Sequence, residues 1–166
     1  MKIIVTELEE LSRKLFSAIG CDDTEAENIS RLLVRANLTG HDSHGVIRIP
    51  QYIDSWRQGD VVPNQTATVV FENDTISLYE GNKGFGQTIG NQVIGEGIQK
   101  AATSGLAMVG VGNVGHLGRI GDWAEKAAMA GQVSLHFVNT SGAGMMVAPF
   151  GGINARYSTN PISIGM

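Results

Sequence analysis

Two histidines, an aspartate, a serine and an arginine fall within Gly40-His41-Asp42-Ser43-His44-Gly45-Val46-Ile47-Arg48-Ile49-Pro50. No apolar periodicity demands such a density of ionisable groups. If a helix opens at Ser43, His44 and Arg48 stand one turn apart and project from the same face. A titratable acid then lies beside a planar cation. That pairing suits reduction of a 2-oxo acid: a histidinium can give a proton to the carbonyl oxygen while a guanidinium grips the neighbouring carboxylate in a bidentate fork. His41 has a plainer reading, as a residue that caps or bonds a helix end. The spacing of His41 and His44 permits metal ligation, but no carboxylate cluster accompanies them, so no metal site is expected. Arg48 also has a bland alternative, a surface ion pair with Asp42 or Asp54 that contributes little.

The segments that must hold these groups can be read on either side of them. Thr6 and Glu9 form a capping box ahead of Leu8, Leu11, Leu15, Phe16 and Ile19 at helical spacing, with Gly20 as the stop. Thr24 and Glu27 repeat the signature before Ala26, Ile29, Leu32, Leu33 and Ala36, and that helix ends near Gly40. A third helix carries Pro50, Tyr52, Ile53 and Trp56 to Gly59, with Pro50 in its first turn or at a kink. After Pro63-Asn64 the pattern changes. Thr66 to Phe71 and Ile76 to Tyr79 are strands joined by a turn at Glu72-Asn73-Asp74. A helix from Gln87 to Ser104 is closed by Gly105, and Leu106 to Val111 is a short strand. A glycine-rich stretch from Gly112 to Gly121 follows, then a helix from about Ile120 to Ala130 and a buried strand from Val133 to Val138. Asn139 to Gly152 is a loop, and Ile162-Ser163-Ile164-Gly165-Met166 is an alternating strand. The expected fold is therefore α/β: an N-terminal helical lobe, residues 1–62, carries the reactive cluster, and a mixed α/β portion, residues 63–166, follows. Because the chain stops inside an apolar strand, the second portion is read as truncated at its C-terminal end.

Gly110-Val111-Gly112-Asn113-Val114-Gly115 matches the dinucleotide fingerprint G-x-G-x-x-G. The next helix begins too late for that motif, and Asn139 stands where an acid should close the following strand, so a non-Rossmann arrangement is expected. His116, Gly118 and Arg119 remain of interest, since backbone amides and a cation beside a helix start suit a phosphate or a carboxamide. His136 alternates within an apolar strand and reads as a satisfied core or interface histidine. Met145, Met146 and Phe150 read as core or interface, and Trp56 and Trp123 as core.

Composition excludes several classes. The 166 residues carry 12 Lys+Arg against 16 Asp+Glu, a net charge of −4, and the scattered basic residues make no footprint for nucleic acid. Cys21 is the single cysteine, which rules out an intrachain disulfide and fits a reducing compartment. The opening Met1-Lys2-Ile3-Ile4-Val5 is too short for a signal peptide, and no apolar run reaches spanning length. A cytoplasmic protein with no membrane partner is expected.

The runs His41-Asp42-Ser43-His44-Gly45-Val46-x-Arg48-x-Pro50-x-Tyr52, Gly115-His116-x-Gly118-Arg119-x-Gly121-x-Trp123-Ala124-Glu125 and Ala148-Pro149-Phe150-Gly151-Gly152, followed by Thr159-Asn160-Pro161, resemble the malate/L-lactate dehydrogenase family. The resemblance is closest to its hydroxycarboxylate dehydrogenase members. It implies interconversion of a 2-hydroxy acid and a 2-oxo acid with NAD or NADP, NAD being favoured, in a homodimer. It further implies that His44 is the proton donor in reduction and the base in oxidation, and that Ser43 belongs to the relay that orients it. By the same resemblance Arg48 binds the substrate carboxylate, Thr159 approaches the substrate, and His116, Leu117, Gly118, Arg119 and Ile120 touch the cofactor. Family members run to about twice this length, and their relay aspartate and much of their cofactor pocket lie in the part with no counterpart here. An alternative therefore stands beside the enzyme reading: a truncated, inactive paralogue that acts only by associating with a partner chain.

Overall fold

In the computed structural model, which describes residues 3–140 and 145–166, the chain divides into two compact units, residues 1–119 and 120–166. The boundary expected at 62/63 on composition lies inside the first unit. Met1, Lys2 and the middle of the Asn139–Gly152 loop lie outside the described residues.

The first unit begins with helices α1 (Val5–Ala18) and α2 (Asp23–Leu38), packed on each other. Both start earlier than the capping boxes predict. Ile4 is the N-cap of α1 and makes no side-chain cap bond, so Thr6 lies inside the helix. At α2 the cap is Asp22, whose carboxylate accepts from the Glu25 amide at 2.8 Å. An aspartate is as good an N-cap as threonine, and here it comes first. Phe16, Ala26, Ile29 and Leu33 are buried with Tyr52 and Phe85, whereas Leu11 and Leu15 on α1 face outward. Phe16 meets Phe85 edge to face at 5.8 Å, a favoured aromatic geometry. Helix α3 (Ile49–Gln58) has Pro50 in its first turn, as expected, and ends on Gly59 in the left-handed region at φ 73°. Trp56 is only half-buried.

Asn64 then ties the chain to the start of α2. Its amide donates to Glu25 Oε2 at 2.6 Å, and its side-chain oxygen accepts from the Asp22 amide at 2.8 Å. Strands β1 (Thr68–Glu72) and β2 (Ile76–Glu80) pair antiparallel, with a bulge between Val69 and Phe71. The turn between them is held by Asn73, whose side-chain oxygen accepts from the Thr75 and Ile76 amides. Helix α4 (Gly86–Ser104) then crosses to β3 (Met108–Gly112), which lies parallel to β2. The sheet order β1-β2-β3 thus mixes one antiparallel pair with one βαβ unit. Ala67, Tyr79, Ile89 and Val93 are buried here against Val109, Val111 and Val114.

The second unit holds α5 (Gly121–Met129) and an antiparallel pair, β4 (Ser134–Phe137) with β5 (Ile162–Gly165), both strands packed against α5. Trp123 is buried, as expected. A side chain at Gly165 would run into the Ala124 backbone, so the strand end sits close on the helix. The fingerprint glycines do not open a helix, because α5 starts only at Gly121. The expectation of a buried strand at 133–138 fails: Val133, Leu135 and Phe137 are all exposed, because only one face of this two-stranded ribbon is covered. Met145, Met146 and Phe150 are exposed as well and form no core among the described residues. His136 is half-buried and its Nε2 is bonded to the Ser134 hydroxyl at 3.0 Å. Among the described residues no helix is long and apolar enough to cross a membrane.

Candidate active site

The reactive run folds as two short 3-10 turns, Asp42–His44 and Val46–Arg48, not as one helix opened at Ser43. Gly45 separates them with extended backbone, φ −86° and ψ −156°. The physical reason lies in Asn37 on α2. Its side-chain oxygen accepts from the Val46 amide at 2.9 Å and its amide donates to Asp42 Oδ1 at 2.6 Å. That side chain occupies the place where a Cβ on residue 45 would stand. One asparagine therefore satisfies the backbone that a continuous helix would have used, and glycine is the residue that lets it come so close.

His44 and Arg48 nevertheless come together. Ser43 Oγ bonds His44 Nδ1 at 2.9 Å, which leaves Nε2 as the ring nitrogen for an external partner. Arg48 donates from Nε to the Ser43 carbonyl and from one terminal nitrogen to Gln51 Oε1, each at 2.6 Å. Among the described residues its other terminal nitrogen has no partner, and the surface ion pair with Asp42 or Asp54 does not form. His41 lies edge-on to His44 at 5.7 Å. Burial, then the charge of Arg48, then His41, hold the His44 imidazole below its ordinary pKa.

His116 joins this cluster from the loop after β3, stacked on His44 with ring centres 5.3 Å apart. Its Nδ1 is bonded by the Tyr52 hydroxyl at 2.8 Å, and Tyr52 in turn by Gln87 Nε2 at 2.8 Å. His116 is exposed as a residue, while its Nδ1 is covered by the Tyr52 hydroxyl and the Gly118 amide. That local desolvation, followed by the charges of Arg48 and His44, pushes its pKa down to about 4. The loop is pressed on the start of α4: Gly115 N donates to the Gly84 carbonyl at 2.9 Å, and a side chain at Gly86 would collide with the His116 carbonyl. Gly118 is buried at φ 72°, a conformation glycine adopts without penalty.

Of the residues singled out from sequence, Ser43, His44, Arg48 and His116 form one cluster, with Leu117, Gly118 and Arg119 continuing from it in the same unit. Ile120 is buried at the start of the second unit. Thr159 belongs to that second unit too, exposed, with its carbonyl accepting from the Thr140 hydroxyl at 3.2 Å. Sequence reasoning missed Asn37, Tyr52 in its polar role, and Gln87. A signal existed for Gln87, a lone amide on the α4 stripe that buries Gly86, Gly90, Val93 and Gly97.

The donor set, two imidazoles of lowered basicity and one arginine with an open nitrogen, fits an organic anion that exchanges a proton.

Residues 3–166 match the family described as malate/L-lactate dehydrogenase. Hydroxycarboxylate dehydrogenase B of Escherichia coli (strain K12) is 41% identical over 157 residues, which cover 95% of this chain and 43% of that protein. An L-lactate dehydrogenase of Cupriavidus necator is 35% identical over 98% of this chain and 46% of its own. The solved malate dehydrogenase of Pyrococcus horikoshii superposes with a TM-score of 0.93 at 30% identity, over 99% of this chain and 46% of that one. The chain thus spans less than half the length of these relatives.

Proposed function

Because the chain belongs to the malate/L-lactate dehydrogenase family, we propose that it serves hydride transfer between NAD(P) and a 2-hydroxy acid/2-oxo acid pair, with His44 as the proton donor and acceptor. The nicotinamide, when bound, supplies or takes up the hydride. The protein contributes the rest. Arg48 holds the substrate carboxylate with its open terminal nitrogen, orienting the carbonyl toward His44. Protonated His44 keeps Nδ1–H on the Ser43 hydroxyl and gives the Nε2 proton to the oxygen as it gains charge; in oxidation neutral His44 takes it back. His116 through Ile120 are assigned to the cofactor and Thr159 to the substrate, on a non-Rossmann fold. Residues 1–62 supply the proton and the carboxylate clamp, and residues 63–166 part of the cofactor region. We place the protein in the cytoplasm as a homodimer, and favour NAD over NADP.

The observation that carries this reading is the convergence of Ser43, His44 and Arg48 on one side of a stapled double turn, with His44 Nε2 and one guanidinium nitrogen left for a ligand. The test is oxidation of NADH or NADPH by a panel of 2-oxo acids. Turnover is expected with the native chain and its loss, by about 10²-fold or more, with His44→Ala. Failure of both nucleotides to bind, followed by fluorescence titration, would remove the reading.

One observation favours a second reading. Val69, Val70 and Phe71 on β1 are all exposed, as is Met108 on β3, and an apolar surface of this kind marks association. A chain that acts only by binding a partner would show a larger assembly in sedimentation and no nucleotide binding.

A further inference from the structure

The hydrogen-bond chain behind His116 has a direction, and one backbone group fixes it. Gly118 N lies 3.3 Å from His116 Nδ1. A backbone N–H can only donate, so Nδ1 must be the acceptor and the ring proton of neutral His116 sits on Nε2. The Tyr52 hydroxyl, also on Nδ1, must then donate to it. Tyr52 oxygen is left to accept from Gln87 Nε2. Gln87 is 1% exposed, and among the described residues its Oε1 has no hydrogen-bond partner. An apolar side chain of the same size would leave no orphaned carbonyl there. Burial pushes the Tyr52 phenol up to about 12, so it stays a donor throughout the working range.

We propose that Tyr52 and Gln87 are positioning residues that hold His116 as a neutral Nε2–H imidazole, so that of the two stacked rings only His44 carries the exchangeable proton. The groups that bear on the pair come from four elements: His44 on the first turn with His41 at its N-cap, Arg48 on the second, Tyr52 on α3 and Gln87 on α4. Two imidazolium rings at 5.3 Å beside a guanidinium would repel. A donor aimed at Nδ1 removes that competition by stabilising the neutral form of one ring. His116 then presents an N–H, suited to an oxygen of the substrate or of a carboxamide, and is no base at Nε2. The catalytic meaning rests on the dehydrogenase reading; the tautomer does not.

The test is long-range proton–nitrogen NMR of the full chain labelled with ¹⁵N at histidine, free of substrate and cofactor, with resonances assigned through His44→Asn and His116→Asn. In the native chain His116 is expected to show an unprotonated Nδ1 and a protonated Nε2, with a titration midpoint near 4. Tyr52→Phe, which leaves Nδ1 only the longer bond from Gly118 N, should admit a fraction of the Nδ1–H tautomer and raise the midpoint. Gln87→Met should move both in the same direction by less, and serves if Tyr52→Phe does not fold. A proton on Nδ1 in the native chain, or unchanged tautomer and midpoint in both variants, would overturn the proposal. Where turnover is measurable, Tyr52→Phe should also split the single ionisation of the reduction profile into two; a profile of unchanged shape counts against the role. Absence of turnover would sink the dehydrogenase reading while leaving the NMR result standing.

Discussion

Among single residues, the decisive feature is that Arg48 does two things to the site at once. One terminal nitrogen has no partner among the described residues and is the one the proposed function gives to a substrate carboxylate, and the positive charge of Arg48 lowers the basicity of His44. Replacing it with lysine keeps the charge but loses the planar fork. Arg48→Lys should therefore raise KM for the 2-oxo acid by about tenfold or more while changing the pH profile little, and Arg48→Gln should raise KM and also move the profile. The sign follows from the proposed function: with His44 as proton donor, kcat/KM for reduction falls as pH rises through its depressed pKa. Removing the neighbouring cation lifts that inflection toward the ordinary imidazole value. A kinetic pH series on the two variants checks both statements.

Between elements, the site depends on how α2, the double turn, α3 and the start of α4 grip one another. Asn37 is the staple on the α2 side, with bonds to both turns. Asn37→Ala leaves the Val46 amide and the Asp42 carboxylate without that partner, and should destabilise the fold by about 1–3 kcal/mol. Because it lets the His44 turn move relative to Arg48, kcat should fall by more than stability alone explains; urea denaturation beside steady-state kinetics separates the two. On the α4 side, Gly86 permits the close approach of the His116 loop. These contacts join groups far apart in sequence, which is why His44 and Arg48 come together by a local geometry other than the single helix that the i, i+4 argument assumed.

Over the chain as a whole, three imidazoles, His44, His116 and His136, are held below their ordinary pKa, chiefly by burial. The unfolded chain then binds more protons than the folded one below the unperturbed value of 6.5. The stabilisation is fully present above that pH and is lost as pH falls, for His116 down to about 4. Thermal melting followed from about pH 8 to about pH 5 should show a falling midpoint, and His116→Gln should flatten the decline. An unchanged slope in that variant would count against the depressed value. The exposed apolar residues of β1 and β4 belong to this scale as well, since they are surface that the chain does not cover by itself.

Most element types, the glycine stops at Gly59 and Gly105, the Asn73 turn and the clustering of ionisable side chains at 41–48 were legible in the sequence, because they follow from local preferences and from periodicity within one segment. The family resemblance, carried by three motifs, was legible in the same way. Long-range packing accounts for the rest. The starts of α1 and α2 shifted because an extended Ile4 and a better-placed Asp22 won over the Thr capping boxes. The predicted helix at Ser43 became two turns because Asn37, nine positions before Val46, lies beyond the reach of local rules. The strand at 134–137 stayed exposed because its partner covers one edge and α5 one face. The Gln87–Tyr52–His116 chain could not be read from spacing at all, since its members lie on three separate elements and only packing brings a buried amide, a phenol and an imidazole into line.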